Sequence, residues 1–599
     1  MSSTSGTDGY VLAPEDLARI LAARQANSQL PIFRRSPLEV LLRIATFLSQ
    51  DTVTLRSNVV VSAAVPLLRV CSRWREVALA CRDVWTTIPF RNVEVTQIFL
   101  DRSYPAPIQL RIEGERLASA DQRGHPTPKK LAYYNAVLLS ISHLSRARVF
   151  SVNHLWRYDA EKIFPLLSSS VPELEELSLI YSCPPAEDEY WDEPMPPPLS
   201  IFSDSVPPKL RKLELEWCSL HTTSPLLQSS SLIDIDITDC RAWETVDDIV
   251  AMLARLPQLE AFTVRQIWNQ PREHRLFRLP TSAIESPHSI SLPRMQKFVI
   301  DADFRQGMTL FHRLSLPVTA LIEINGETNY PSNDTAVDAV FILLVATSLC
   351  DHYASFIATD RICDLAKVHM FKEYISLAMR WESLVGLANG ERDAFALEYV
   401  TEDDPRPNLQ LTFHLTPGFD AMTTMMDAMM DALPILKRTE TVVLSVDYRF
   451  PDQLGVRRMF EGFKDVRNLS LANYSASDIV TALGAPSSPL FPALSVLRLS
   501  DISLVETEYM ESGTNPFAGV LQALEGWFTS GRVETLNIYQ CDVTEEVVTS
   551  LRAKLGPGKL VWDMVHDSND TRRIRQIRSP NREARILQAL ALGFASESD

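Results

Sequence analysis

One pattern of apolar and polar positions recurs along the chain: apolar residues stand first, fourth and sixth, with mostly polar residues between them. It appears as LEELSL (Leu174, Leu177, Leu179), LRKLEL (Leu210, Leu213, Leu215), LIDIDI (Leu232, Ile235, Ile237), LEAFTV (Leu259, Phe262, Val264) and MQKFVI (Met295, Phe298, Ile300). It returns as VRNLSL (Val466, Leu469, Leu471), LSVLRL (Leu494, Leu497, Leu499) and VETLNI (Val533, Leu536, Ile538). Apolar residues two apart predict a strand with one buried face. Between strands lie helix-spaced stretches such as Val246 to Pro257, with Ile249, Val250, Leu253 and Leu256 on one side. Strand followed by helix, repeated, predicts parallel strands with helices behind them.

A proline often precedes the pattern, at Pro172, Pro208, Pro257, Pro293 and Pro492. Cys218, Cys240 and Cys541 each fall eight residues after the first apolar position of their copy. That is the turn position where leucine-rich repeats carry Asn or Cys. The spacings are 36, 22, 27 and 36 residues in the first group and 28 and 39 in the second. These exceed the usual repeat of about 20 to 29 in several places, so the array is irregular, with insertions. Residues 301–465 fit least well, although Leu409 to Leu415 and Thr441 to Val446 read as strands. Side chains between the leucines would point to the open face of the sheet. The candidates for substrate contact are Ser178, Glu214, Glu216, Asp236, Arg265, Arg498, Asn537 and Tyr539.

The N-terminal part has a different period. SPLEVLLRIATFL (Ser36 to Leu48) predicts a helix with Ser36 as cap, Pro37 in the first helical position and Glu39 reaching back to close a capping box. It carries two apolar stripes, Leu38, Leu41, Leu42, Ala45 and Leu48 on one side and Val40, Ile44 and Phe47 on another. A surface helix needs only one. Two stripes mean burial all round or a face that waits for a partner. VPLLRVCSRWREVALACRDVW (Val65 to Trp85) predicts a second helix, with Leu67, Val70, Cys71, Trp74, Val77 and Ala78 on its apolar side and a break at Arg82-Asp83.

These two segments resemble an F-box, in the form common among fungal F-box-like proteins. The resemblance rests on Pro37, Glu39, Val40, Leu41, Ile44, Phe47 and Leu48, then Val70-Cys71, Trp74-Arg75 and Trp85. It departs from the usual Leu-Pro-x-Glu start, since Ser36 replaces the leucine and Leu38 stands where a second proline is common. It implies an all-α three-helix module that docks on the small Skp adaptor of a Skp–cullin–F-box (SCF) ubiquitin ligase. The implied adaptor-binding residues are Pro37, Leu38, Glu39, Val40, Leu41, Ile44, Phe47, Leu48 and Trp74.

Composition narrows the function classes. The chain has 599 residues, a net charge of −17 and 46% hydrophobic residues. The acidic balance argues against nucleic acid as the main partner. Eight widely spread cysteines with no C-x-x-C pair suggest neither a zinc ribbon nor a disulfide framework, and fit a reducing compartment. The start, MSSTSGTDGY, does not look like a signal peptide. The most apolar run, Ala339 to Cys350, is too short to span a bilayer and reads as a buried helix. Cytoplasm or nucleus is the expected location, with no membrane partner. Glycine-loop, Walker, H-E-x-x-H and G-x-S-x-G patterns are absent from the sequence, and the eleven histidines show no metal-ligand spacing. No catalytic residue, cofactor or metal is therefore expected.

Three further stretches stand out. Ala421 to Leu433 carries Met422, Met425, Met426, Met429 and Met430 at helical spacing, as a core helix or an adaptable surface. Cys183 to Pro198 is an acidic, proline-rich loop holding Tyr190 and Trp191. Thr571 to Arg585 holds six arginines, as a solvated tail, an import signal or a contact for an acidic partner.

The expected organisation has four parts. Residues 1–30 form a disordered tail and a short helix (Pro14 to Asn27), and 31–90 the F-box-like module. Residues 91–565 form an α/β leucine-rich-repeat-like solenoid with a parallel sheet, and 566–599 a basic tail with a terminal helix. The expected function is substrate recognition for an SCF-type ligase, with a Skp adaptor and cullin as partners and an unknown protein as substrate. The alternatives are a leucine-rich-repeat scaffold unconnected with ubiquitin, whose N-terminal helices only cap the repeats, and an enzyme whose site is assembled from distant residues.

Overall fold

The computed structural model describes residues 18–19, 22–23, 25–26, 36–117 (save 51 and 55–59), 127–181, 201–266 (save 219, 221–222 and 241), 290–328, 335–358, 365–370, 374–380, 409–415, 425, 428–446, 460–472 (save 461), 490–500, 527 and 533–562 (save 540, 542 and 557). Most of the expected first helix, the loop at Tyr190-Trp191, the arginine-rich stretch and the terminal helix lie outside the described residues. The chain forms two compact units, Met1–Arg278 and Leu279–Asp599.

The first unit opens with α1 (Leu38–Ser49) and a short antiparallel hairpin, β1 (Thr52–Thr54) and β2 (Val60–Ser62). The helix expected over Val65 to Trp85, with a break at Arg82-Asp83, is three pieces: a 3₁₀ turn (Val65–Arg69), α2 (Ser72–Ala80) and a second 3₁₀ turn (Arg82–Trp85). The breaks fall at Cys71 and Cys81, whose backbones are extended. Both thiols are buried, so the chain bends inward at these two points. The expected three-helix module is thus two α-helices, a hairpin and 3₁₀ turns. It runs into α3 (Val93–Ser103), capped by the Asn92 side chain.

Six parallel strands follow in chain order. They are β3 (Ile108–Glu113), β4 (Ala147–Leu155), β5 (Glu176–Tyr181), β6 (Lys212–Glu216), β7 (Asp234–Thr238) and β8 (Ala261–Arg265). Register places the repeated apolar positions side by side, with Leu177, Leu213, Ile235 and Phe262 in one row and Leu179, Leu215, Ile237 and Val264 in the next. Among the connections are α4 (Pro128–Ile141), α5 (Arg157–Ile163) and α6 (Val246–Leu253). Thr245 and Asp248 form a capping box on α6, and its Ile249, Val250 and Leu253 are buried as the helical spacing requires. The outer edge of β3 is not bare. The Gln109 N–H donates to the Thr86 carbonyl at 2.8 Å, and the Ile88 N–H donates to the Gln109 carbonyl at 3.1 Å. The segment after α2 thus extends the sheet and blunts its edge.

The second unit holds a minor pair, β9 (Ile290–Ser291) and β11 (Leu314–Ser315), beside its main sheet. The main sheet contains β10 (Lys297–Asp303), β12 (Leu321–Thr328), β13 (Leu365–Met370), β14 (Tyr374–Arg380), β15 (Leu409–Leu415), β16 (Thr441–Val446), β17 (Asn468–Ala472), β18 (Val496–Ser500), β19 (Thr535–Tyr539) and β20 (Leu560–Trp562). Their order is β10-β12-β15-β14-β13-β16-β17-β18-β19-β20. Strand β14 runs antiparallel to both β13 and β15, and every other neighbour in this sheet is parallel. Here the expected strand-by-strand succession fails. A reversed strand needs only a short turn from β13 to β14, so β15 is placed next to β12. In β12, Gly326 lies so close to β10 that a Cβ would meet the Ala302 carbonyl oxygen at 1.8 Å.

Three helices of this unit are α7 (Phe304–His312), α8 (Thr335–Ile357) and α9 (Glu545–Leu555). Helix α8 contains the apolar run expected to be buried. Phe341, Leu344, Val345 and Leu349 are buried, but Val340 and Leu343 are exposed. Among the described residues no helix is long and apolar enough to cross a membrane. Met425, Met429 and Met430 are buried, and Met422 and Met426 lie outside the described residues.

All twenty-four apolar positions of the eight copies are buried. The cysteines behave as their position predicts. The Cys218 thiol donates to the Leu179 carbonyl at 3.6 Å, Cys240 to Leu215 at 3.5 Å and Cys541 to Leu499 at 3.4 Å. Each acceptor is the last apolar residue of a neighbouring strand's copy. Each buried thiol thereby finds its partner on a strand of the adjacent repeat.

Candidate functional site

Two surfaces hold the residues singled out by the sequence. The first is the outer side of α1. The helix packs against α2 and the turn Arg82–Trp85. It has no side-chain cap. Pro37 takes the cap position, so the expected capping box at Ser36 and Glu39 does not form. The Arg73 guanidinium instead donates to the Ser36 carbonyl and ties the helix start to α2. Further along, the Thr46 hydroxyl lies 3.7 Å from the Cys81 sulfur. Trp85 anchors the layer beneath. Its indole N–H donates to the Ala78 carbonyl at 3.0 Å, and the Arg102 guanidinium lies 4.6 Å from its ring centroid.

At 3.6 residues per turn, Leu41, Ala45 and Ser49 share one side of α1, and all three are buried. Val40, Ile44 and Phe47 share another and face solvent, at 44%, 40% and 66% exposure. Of the two stripes, one builds the core and the other is left outside. Covering the area still exposed would contribute less than the roughly 1.5–3 kcal/mol that full burial of each such side chain is worth. Pro37, Leu38 and Glu39 are also exposed, and Leu48 is half-buried. Leu38 shares a stripe with Leu41 and Ala45 by spacing, but in the first helical turn it is exposed. Leu41 and Trp74, both expected to touch a partner, are buried core residues and cannot do so in this conformation. An apolar period alone does not say which stripe turns inward.

The second surface is the open face of β5–β8. Register aligns Ser178, Glu214, Asp236 and Thr263 in one row and Ile180, Glu216, Thr238 and Arg265 in the next. A third row, Glu176, Lys212, Asp234 and Ala261, was not among the expected contacts, although the same two-residue alternation identifies it. Ser178, Glu214, Glu216, Asp236 and Arg265 are all half-buried. The Arg265 Nη1 donates to both Asp236 carboxylate oxygens at 3.1 Å. Burial raises the Glu216 pKa, and the Glu214 and Asp236 charges add to the rise. His154 and Arg265 oppose it.

The remaining expected contacts, Arg498, Asn537 and Tyr539, belong to the second unit. Arg498 and Asn537 are register partners on β18 and β19. Arg498 is only 7% exposed. Its guanidinium lies 4.2 Å from the Tyr539 ring centroid, and its Nε donates to the Ser500 hydroxyl at 3.3 Å. Ser445, Ser470, Ala472 and Ser500 on the same side are buried as well. Around Arg498 the expected open face is therefore closed and Arg498 is a packed residue, whereas Asn537 and Tyr539 on β19 are half-buried. Among the described residues, no group of three or more His, Cys, Asp or Glu side chains is placed to hold a metal ion. A shallow depression on α9 is lined by Glu545, Glu546, Thr549, Ser550 and Ala553.

No family model matches this chain. No curated protein matches it either. Among solved structures, the crystal structure of the mouse RP105/MD-1 complex aligns over 72% of this chain at 14% identity, with a TM-score of 0.25. The alignment takes in 57% of that chain. A likeness at that score carries no argument about function.

Proposed function

We propose that this chain is a non-enzymatic adaptor of an SCF-type ubiquitin ligase. Its N-terminal module docks on a Skp adaptor, which a cullin carries, and its repeat sheet holds a protein substrate in the cytoplasm or nucleus. The observation that supports this reading most is the exposed stripe Val40, Ile44 and Phe47, which sits on a helix whose other stripe is already buried. Contact with the adaptor falls to this stripe, helped by Pro37, Leu38 and Glu39. Substrate contact falls to the open face of β5–β8. The mechanism is proximity: a substrate lysine held near a ubiquitin-loaded enzyme reacts at high effective concentration.

The test uses the full chain, because the module shares hydrogen bonds with β3 and a fragment cut inside the sheet would lose them. Co-expression with a Skp adaptor, followed by size-exclusion chromatography, should give a one-to-one complex. Val40→Asp, Ile44→Asp and Phe47→Asp together should abolish it without lowering the melting temperature. A triple variant that still binds would sink the assignment of the stripe.

A second reading, a scaffold unconnected with ubiquitin whose N-terminal module only caps the sheet, draws on the hydrogen bonds that tie Thr86 and Ile88 to Gln109. A folded wild-type chain that never binds the adaptor would favour it.

A further inference from the structure

We draw no further inference here: the strongest candidate, the carboxylate-rich face of β5–β8 built from Glu214, Glu216, Asp234 and Asp236, belongs to the surface already described, and nothing in the structure shows what covers it.

Discussion

Strands β6 and β7 of the first unit and strands β17 and β18 of the second carry the same apolar pattern, and all place their leucines and isoleucines in a core. Their other faces differ. On β6 and β7 that face presents half-buried Glu214, Glu216 and Asp236. On β17 and β18 it presents Ser470, Ala472, Arg498 and Ser500, all buried. Small side chains allow close coverage of a sheet face, whereas ionised carboxylates resist leaving water. The repeat pattern therefore specifies a strand and its core side. The residues between the leucines, and whatever packs over them, decide whether the second side can meet a partner.

This contrast can be tested from its strongest shared feature outward. Leu213→Ala and Leu497→Ala remove fully buried side chains from equivalent positions and should each cost about 2–5 kcal/mol in urea unfolding. A loss well below that at Leu497 alone would mean that the second sheet is packed more loosely than the first. Arginine substitutions should separate the two faces. Arg498→Ala removes a buried cation stacked on Tyr539 and should cost roughly 2 kcal/mol. Arg265→Ala breaks an ion pair whose side chains are 41% and 27% exposed, and should cost less than about 1 kcal/mol. Equal losses in thermal melts would erase the distinction between a closed and an open face.

The smallest expected effect is electrostatic. The folded-state pKa of Glu216 is raised, so the native chain holds its proton to higher pH than the unfolded chain does. Stability from this group is present at acidic pH and falls as pH rises through the raised pKa. Glu216→Gln should flatten that slope and raise the melting temperature slightly near neutrality. A steeper slope in the variant would contradict the burial argument.

Much of the repeat architecture could be read in advance. Leu210, Leu213 and Leu215 announce both a strand and its inner side, and Cys218, eight positions after Leu210, announces a buried turn. The helix at Val246 was equally legible, through its spaced apolar residues. The reversal at β14 was not, because antiparallel and parallel strands share one side-chain period. The break at Cys71 was also hidden, since the apolar spacing continues across it and only the bend of the backbone interrupts the helix; the break at Cys81 falls one residue before the one expected at Arg82-Asp83.

The candidate surfaces divide in the same way. By itself, the sequence determined that the helix at Leu38 carries two apolar stripes where a surface helix needs one, and that certain polar residues lie opposite the leucines of each strand. Side-chain periodicity is a local property of the backbone, so it survives without any knowledge of neighbours. Only the tertiary structure decided that Leu41 turns inward while Val40, Ile44 and Phe47 turn out, that Trp74 is core, and that Arg498 is enclosed. Those outcomes depend on which elements pack against each face, and packing joins residues far apart in the chain.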